Sequence, residues 1–436
     1  MRSVVLVGNP ARPYSRALRV ARTLQELGGD VEIAAVAGDD APLVETDGGV
    51  AVRRYVASGP YARLGASSAT GSMAPAGTRG PRSVRIATKA AATLRRWMLW
   101  PHTVRGWWAT LERELVPADL YHACGSLTIA AALAARRRDQ AAGRRSVVVY
   151  DAIDDVIGSN NVLGMPRLVR WWLGRRERGW ARAADVRITV NDELAARLAR
   201  RWGIDERPIV VPNWPAARAD AAPRADAALY RGGVPDRIRA ATGLPASTRI
   251  VLFQGRLGPN LGLDEAAEAV LLVPDAAFVL IGFGRWFDRS RERDADQRFA
   301  GRHFTLPAVH PDELLEWTAS ADVAVVPLPP VSANQRAATP NKLWEAIAAG
   351  TPVVVGPGLP VMAELVRRDD LGVIADSLAP DDLARAIASV IDVPAEVASA
   401  RRARIALVAA ERYSWPIAAA RYREVVTAAL AVRQRP

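Results

Sequence analysis

At 436 residues the chain is long for a single hydrophobic core, so two domains of about 200 residues each are expected. One cysteine, Cys124, excludes a disulfide framework within the chain and a cysteine-based metal cage, and it fits a reducing compartment. The net charge of +12 rests on arginines scattered through an Ala/Arg-rich composition, and no apolar run reaches the roughly 18 residues that a spanning helix needs.

The start, MRSVVLVGNPARPYS, is too short in its apolar part for a signal peptide and runs directly into a fold-like pattern. Residues 4–7 read as a buried strand, Gly8-Asn9-Pro10 as a turn, 15–27 as an amphipathic helix and 31–36 as a second strand, a βαβ opening. The turn lacks the second and third glycines of the dinucleotide fingerprint, so a nicotinamide or flavin cofactor is not expected. Residues 38–81 hold one more strand, 50–56, and then a low-complexity loop.

Residues 85–115 and 166–182 interleave arginine with Trp97, Trp100, Trp107, Trp108, Trp171, Trp172 and Trp180, seven of the 13 tryptophans. A helix basic on one side and tryptophan-bearing on the other is suited to a membrane interface with anionic headgroups. The competing account is tryptophans in the core and arginines on a solvated face. No nucleic-acid-binding module accompanies the charge, so nucleic acid is not expected as a partner.

A short strand ends at His122, an alanine-rich helix covers 127–136, and the strand 146–150 leads into Asp151-Ala152-Ile153-Asp154-Asp155. A strand at 186–190, a helix at 192–201 and a strand at 208–211 close the first half. Alternating strands and helices predict a parallel sheet. Side chains at the carboxyl ends of such strands line the ligand crevice, which nominates His122, Asp154 and Asp155, although a lone histidine is more often structural. No other clear ligands accompany the acidic cluster, and no metal is assigned to it.

Residues 215–248, rich in Ala, Pro, Arg and Asp, read as an interdomain linker, so the first domain is 1–214, the second 249–412, and 413–436 a closing helix. The second half has strands at 250–254, 278–281, 303–306 and 323–326, with Gly282-Phe283-Gly284 after the second of these. Then comes ATPNKLWEAIAAGTPVVV. Thr339 is read as the N-cap, Pro340 as the first helical residue, Gly350 as the residue just past the helix, and 353–355 as a buried strand. The helix start attracts anions, and Glu345 lies one turn further on the face of Asn341. Lys342 is one of only two lysines, and at a helix tip a lysine is better explained by a bound anion than by helix stability.

The order of VVYDAIDD, VVPNWP, VLFQGRL, LIGFG, ADVAVVPL, TPNKLWEAIAAGTPVV and SWPIAAARYREVV resembles the retaining glycosyltransferases of family 4. The resemblance implies the α/β GT-B fold: two facing Rossmann-like domains with parallel sheets and a C-terminal helix crossing back to the first. It implies a nucleotide-diphosphate sugar bound by the second domain as donor substrate, an acceptor bound by the first, and no cofactor or metal. By motif position Arg256 contacts the donor diphosphate, Glu345 the ribose, Gly282 and Gly284 border the nucleotide, and Gly8 lies in a glycine loop facing the cleft. His122 and Asp154 stand as acceptor-side candidates.

Two positions depart from the pattern: Leu261 stands where the family usually has a second basic residue, and Ala337 where it usually has a glutamate. Lys342 and Asn341 are therefore expected to take over diphosphate and sugar contacts, with Arg256 and Lys342 as the catalytic cations. The Trp/Arg helices favour a lipid-linked or cell-envelope glycan acceptor and a cytoplasmic protein held peripherally at the inner face of the plasma membrane. A sugar-nucleotide epimerase and a non-catalytic membrane-associated partner of the same fold are the rival readings.

Overall fold

The computed structural model describes residues 1–12, 14–38, 41–58, 104–159, 162, 164–216 and 236–434. The chain forms two compact units, Met1–Val211 with Ala419–Pro436, and Pro212–Ala418. The last helix, Trp415–Gln434, thus begins in the second unit and ends in the first. Most of the expected linker, 217–235, lies outside the described residues, and the Arg237–Thr242 helix at its end belongs to the second unit.

The first unit holds eight strands: β1 Arg2–Val7, β2 Asp30–Val36, β3 Val44–Asp47, β4 Val50–Tyr55, β5 Leu120–Cys124, β6 Val147–Asp151, β7 Val186–Thr189 and β8 Ile209–Val210, in the order β3-β4-β2-β1-β5-β6-β7-β8. All pair in parallel except β3, which runs antiparallel to β4. This edge hairpin departs from the expected all-parallel sheet. Its physical cause is Gly48-Gly49, both at positive φ (54° and 81°), a two-residue turn whose twist matches antiparallel strands.

The second unit holds β9 Arg249–Arg256, β10 Ala276–Phe283, β11 His303–Pro307, β12 Val323–Val326, β13 Val353–Val355 and β14 Gly372–Ile374, all parallel, in the order β11-β10-β9-β12-β13-β14. Side chains alternate across β9: Val251 and Phe253 enter the core that holds Leu343 and Ile347, while Ile250 and Leu252 pack on the other face with Val279 and Ala321. Near-continuous apolar runs are what a parallel sheet covered on both faces requires.

Candidate functional site

In the second unit the carboxyl ends of β9 and β10 meet one helix start. At their ends the strands pair Gly255 with Gly282 and Arg256 with Phe283. A Cβ on Gly282 would lie 2.0 Å from the Gly255 carbonyl oxygen, so only glycine allows this approach. Gly284, at φ +117°, has the Leu257 carbonyl 2.7 Å from where its Cβ would stand. The glycines therefore shape the strand ends from which the exposed Arg256 projects.

The helix facing these ends is Asn341–Ala348. Pro340, not Thr339, is its N-cap: the φ of −66° that its ring imposes suits either place, but its ψ of 151° is extended, so the helix begins one residue later than expected. The Thr339 carbonyl instead accepts a bond from Trp344 Nε1 at 3.1 Å. Among the described residues no side chain caps the start, and its first turn carries no acidic residue to offset the dipole's positive end. At the other end Gly350 N–H bonds to the Ile347 carbonyl and Thr351 N–H to the Ala346 carbonyl, both 2.9 Å, the Schellman closure expected of Gly350. Leu343 and Ile347 are fully buried, and Trp344 joins Trp214 and Tyr413 in a ring cluster, centroids 5.1–6.1 Å apart. Burial of each such large side chain contributes about 1.5–3 kcal/mol, so the helix is held firmly from behind.

On the front, the Lys342 ammonium lies 3.5 Å from the centroid of the Phe253 ring. Burial, with the positive charge of Arg256 pushing the same way and Glu345 opposing, brings its pKa from 10.5 down to about 7. Glu345 is half-buried, and its Oε2 accepts a bond from Gln254 Nε2 at 2.8 Å. The Gln254 carboxamide oxygen in turn accepts the Thr318 hydroxyl at 2.7 Å. Asn341 is exposed, and its carboxamide oxygen accepts from Asn213. Leu261 and Ala337, the two departures from the family pattern, are both buried and packed rather than presented to a ligand. Gln254 was not legible as a site residue in the sequence, because a glutamine inside a strand motif carries no spacing signal.

In the first unit the sequence candidates separate. Gly8 follows β1, with Leu127 Cβ 3.2 Å from where its own Cβ would stand. Asp154 is exposed, whereas Asp155 is buried, caps the following turn through Gly158 N–H at 2.9 Å, and pairs with Arg197 and Arg201. β5 runs two residues past His122, so this histidine sits within the strand, fully buried, instead of at its end. His122 Nε2 is 3.2 Å from Asp151 Oδ2 and Nδ1 is 2.8 Å from the Tyr422 hydroxyl. An ionised aspartate can only accept, which assigns the ring proton to Nε2 and makes Nδ1 the acceptor of the tyrosine O–H.

Asp151 also receives Arg16 Nε at 2.6 Å and Nη2 at 2.9 Å, and Nη2 reaches the Val211 carbonyl at 3.1 Å. Burial disfavours the Asp151 charge, but Arg16 and the contact with His122 together outweigh it and hold the carboxyl below its ordinary value. His122, Cys124 and Asp151 bring their ligand atoms within 4.8 Å of one another. The positive charge that a metal would bring to such a cluster is already supplied by Arg16, and both histidine nitrogens are committed to hydrogen bonds. These residues therefore do not fit a cation, and burial pushes the Cys124 thiol pKa well up, away from thiolate chemistry.

The described tryptophans of the Trp/Arg segments mostly turn inward. Trp107 is in the core, and Trp108 donates to the Leu127 carbonyl at 2.7 Å and meets Trp180 edge-on at 5.7 Å. Trp172 packs on Val162, Met165 and Leu173. Trp97 and Trp100 lie outside the described residues. Only Trp171, 62% exposed, and Leu168, 80% exposed, project from the Arg167–Ala183 helix, with Arg175 5.3 Å from the Trp171 ring. The competing account, tryptophans toward the core, thus describes Trp107, Trp108, Trp172 and Trp180, with Trp171 the exception, because Arg/Trp alternation does not say which side meets the core. Among the described residues no helix is long and apolar enough to cross a membrane.

Comparison with known proteins agrees with this architecture. Residues 15–214 match the family described as Glycosyltransferase Family 4, and residues 235–406 match Glycosyl transferases group 1. A D-inositol 3-phosphate glycosyltransferase of Segniliparus rotundus is 30% identical over 246 residues, 53% of this chain and 50% of that protein. The chain thus spans about half the length of the curated relatives it matches. Sucrose-phosphate synthase from Thermosynechococcus elongatus superposes with a TM-score of 0.64 at 15% identity, covering 99% of this chain and 100% of that one. HepE of Anabaena, solved in complex with UDP-glucose, gives 0.63 at 16% identity, covering 98% and 100%. These likenesses show the GT-B fold.

Proposed function

From the premise that the chain belongs to the family 4, group 1 glycosyltransferases, we propose that it moves a sugar from a nucleotide-diphosphate sugar to an acceptor with retention of anomeric configuration. The observation that carries this reading is the pairing of two cations, Arg256 and Lys342, at an uncapped helix start. Arg256 raises the cost of the Lys342 charge, and the helix dipole adds a third positive contribution. Such an arrangement is relieved by an anion, and a diphosphate fits it.

As the sugar–phosphate bond stretches, negative charge gathers on the departing diphosphate. Arg256, Lys342 and the N–H groups of the Asn341–Ala348 helix start stabilise it there, a task for which no metal ion is invoked. Glu345 accepts the ribose hydroxyls, and Gly282 and Gly284 border the nucleotide. The departing phosphate takes the acceptor's proton on the same face of the sugar, so no pair of carboxylates at hydrolase spacing is required. Loss of one such cation costs roughly 10²- to 10³-fold in kcat. Arg256→Ala, at an exposed side chain, is expected to fold normally and turn over at least 10²-fold more slowly; full activity would overturn the assignment.

For the acceptor we propose a lipid-linked or envelope glycan met at the inner face of the plasma membrane, as Leu168 and Trp171 among the arginines of the Arg167–Ala183 helix support. The names of the 30%-identical relatives favour a second reading, a phosphorylated polyol acceptor. Labelled donor offered with membrane extract or with inositol phosphate separates these, and release of a free isomerised sugar would favour an epimerase instead.

A further inference from the structure

Gln254 is almost wholly buried at the end of β9, and nothing in the family pattern assigns it a role. Its side chain lies between Glu345 and Thr318, bonded to both. The carboxamide orientation follows from chemistry alone. Glu345, as a carboxylate, only accepts, so the amide nitrogen must face it, and the amide oxygen is then left to Thr318. With the opposite orientation two acceptor oxygens, those of Gln254 and Glu345, would face each other at the 2.8 Å separation now bridged by the amide N–H.

The whole device rests on rigid parts. Thr318 is fully buried in the Leu314–Ala319 helix, its own carbonyl accepts the Thr351 hydroxyl at 2.9 Å, and Gln254 belongs to a central strand paired on both sides.

We propose that Gln254 is a positioning residue that fixes the Glu345 carboxylate for a vicinal diol, so that the site selects ribonucleoside diphosphate sugars over their 2′-deoxyribose counterparts. The inference rests on the reading of Glu345 as the ribose contact. A carboxylate held on one oxygen by a fixed donor presents its outer edge in one orientation, and two adjacent hydroxyls meet that edge together where a single hydroxyl does not. The class of donor expected is thus a ribonucleotide sugar, with thymidine diphosphate sugars disfavoured.

The test measures dissociation constants for UDP, GDP and ADP, takes the tightest, and compares it with its 2′-deoxy form in the native chain, Gln254→Met, Thr318→Val and Glu345→Ala. The native chain is expected to prefer the ribose form by about tenfold or more, and Gln254→Met to lose most of that preference by weakening the ribose form alone. Thr318→Val should act in the same direction to a smaller degree, and Thr318→Ser should restore the native ratio. If Gln254→Met does not fold, the ratio in the Thr318 pair decides. Equal weakening of both nucleotides, or an unchanged ratio, would overturn the positioning role. A native chain with no ribose preference, or an Glu345→Ala variant that keeps it, would instead bring down the ribose reading on which the inference stands.

Discussion

Replacing Lys342 with methionine should make the unliganded protein more stable while weakening its hold on a nucleoside diphosphate, and the pH dependence of the first effect can be worked out. Methionine keeps an unbranched apolar stem over the Phe253 ring and removes the charge. The Lys342 pKa falls from 10.5 to about 7 in the fold. Between those values the unfolded chain holds a proton that the folded chain releases, so this group makes native stability rise with pH from about 7 to about 10. Below pH 7 both states are protonated and the full cost of the buried charge is present. The ceiling on that cost is about 5 kcal/mol, and since the ammonium is not fully enclosed, about 1–2 kcal/mol is the expected net gain for Lys342→Met at pH 6 after loss of the cation–π contact. The gain should shrink to near zero by pH 10. Urea denaturation of both proteins at pH 6, 8 and 9.5 reads it directly, and the variant should bind UDP, GDP or ADP roughly 10- to 100-fold more weakly. A variant less stable than the native chain at pH 6, or a difference independent of pH, would refute the electrostatic account of the site.

Three further outcomes follow from the geometry. Arg16→Met leaves Asp151 as a buried carboxylate without its counter-charge and should cost about 3–5 kcal/mol in thermal or chemical denaturation. Gly282→Ala places a methyl 2.0 Å from the Gly255 carbonyl, so it should lower the melting temperature as well as activity, unlike Arg256→Ala, which should lower activity alone. Leu168→Glu with Trp171→Glu, at exposed positions, should leave stability unchanged and reduce co-sedimentation with vesicles containing anionic lipid; unaltered sedimentation would remove the support for a membrane-bound acceptor.

The sequence was most informative where local chemistry decides the outcome. The buried runs of β9, β10, β12 and β13 stand within a few residues of their expected places, and Gly350 closes its helix as its residue type requires. The helix start moved by one residue because proline's fixed φ serves two positions and only ψ separates them. β3, with the polar pattern VETD, and β14, three residues long, carry too weak a period to be read, and the Ala395–Arg412 helix is nearly as apolar on one side as on the other. His122 and Asp154 looked alike as residues near strand ends, yet one is enclosed and the other exposed, a difference set by contacts 29 and 300 residues away along the chain. Gln254 escaped notice for the same reason: its partners, Thr318 and Glu345, are brought to it only by the folded sheet.

The bond from Tyr422 to His122 bears on how this protein can be taken apart. The first unit is not one continuous stretch of chain, since residues 419–436 complete it. A fragment ending at residue 214 would open the buried seat of Tyr422 and strip His122 Nδ1 of its donor and Asp119 of its contact with Arg433. An excised first unit made for crystallisation or ligand screening should therefore carry the closing helix, joined by a short linker after residue 214, if it is to behave as a folded protein.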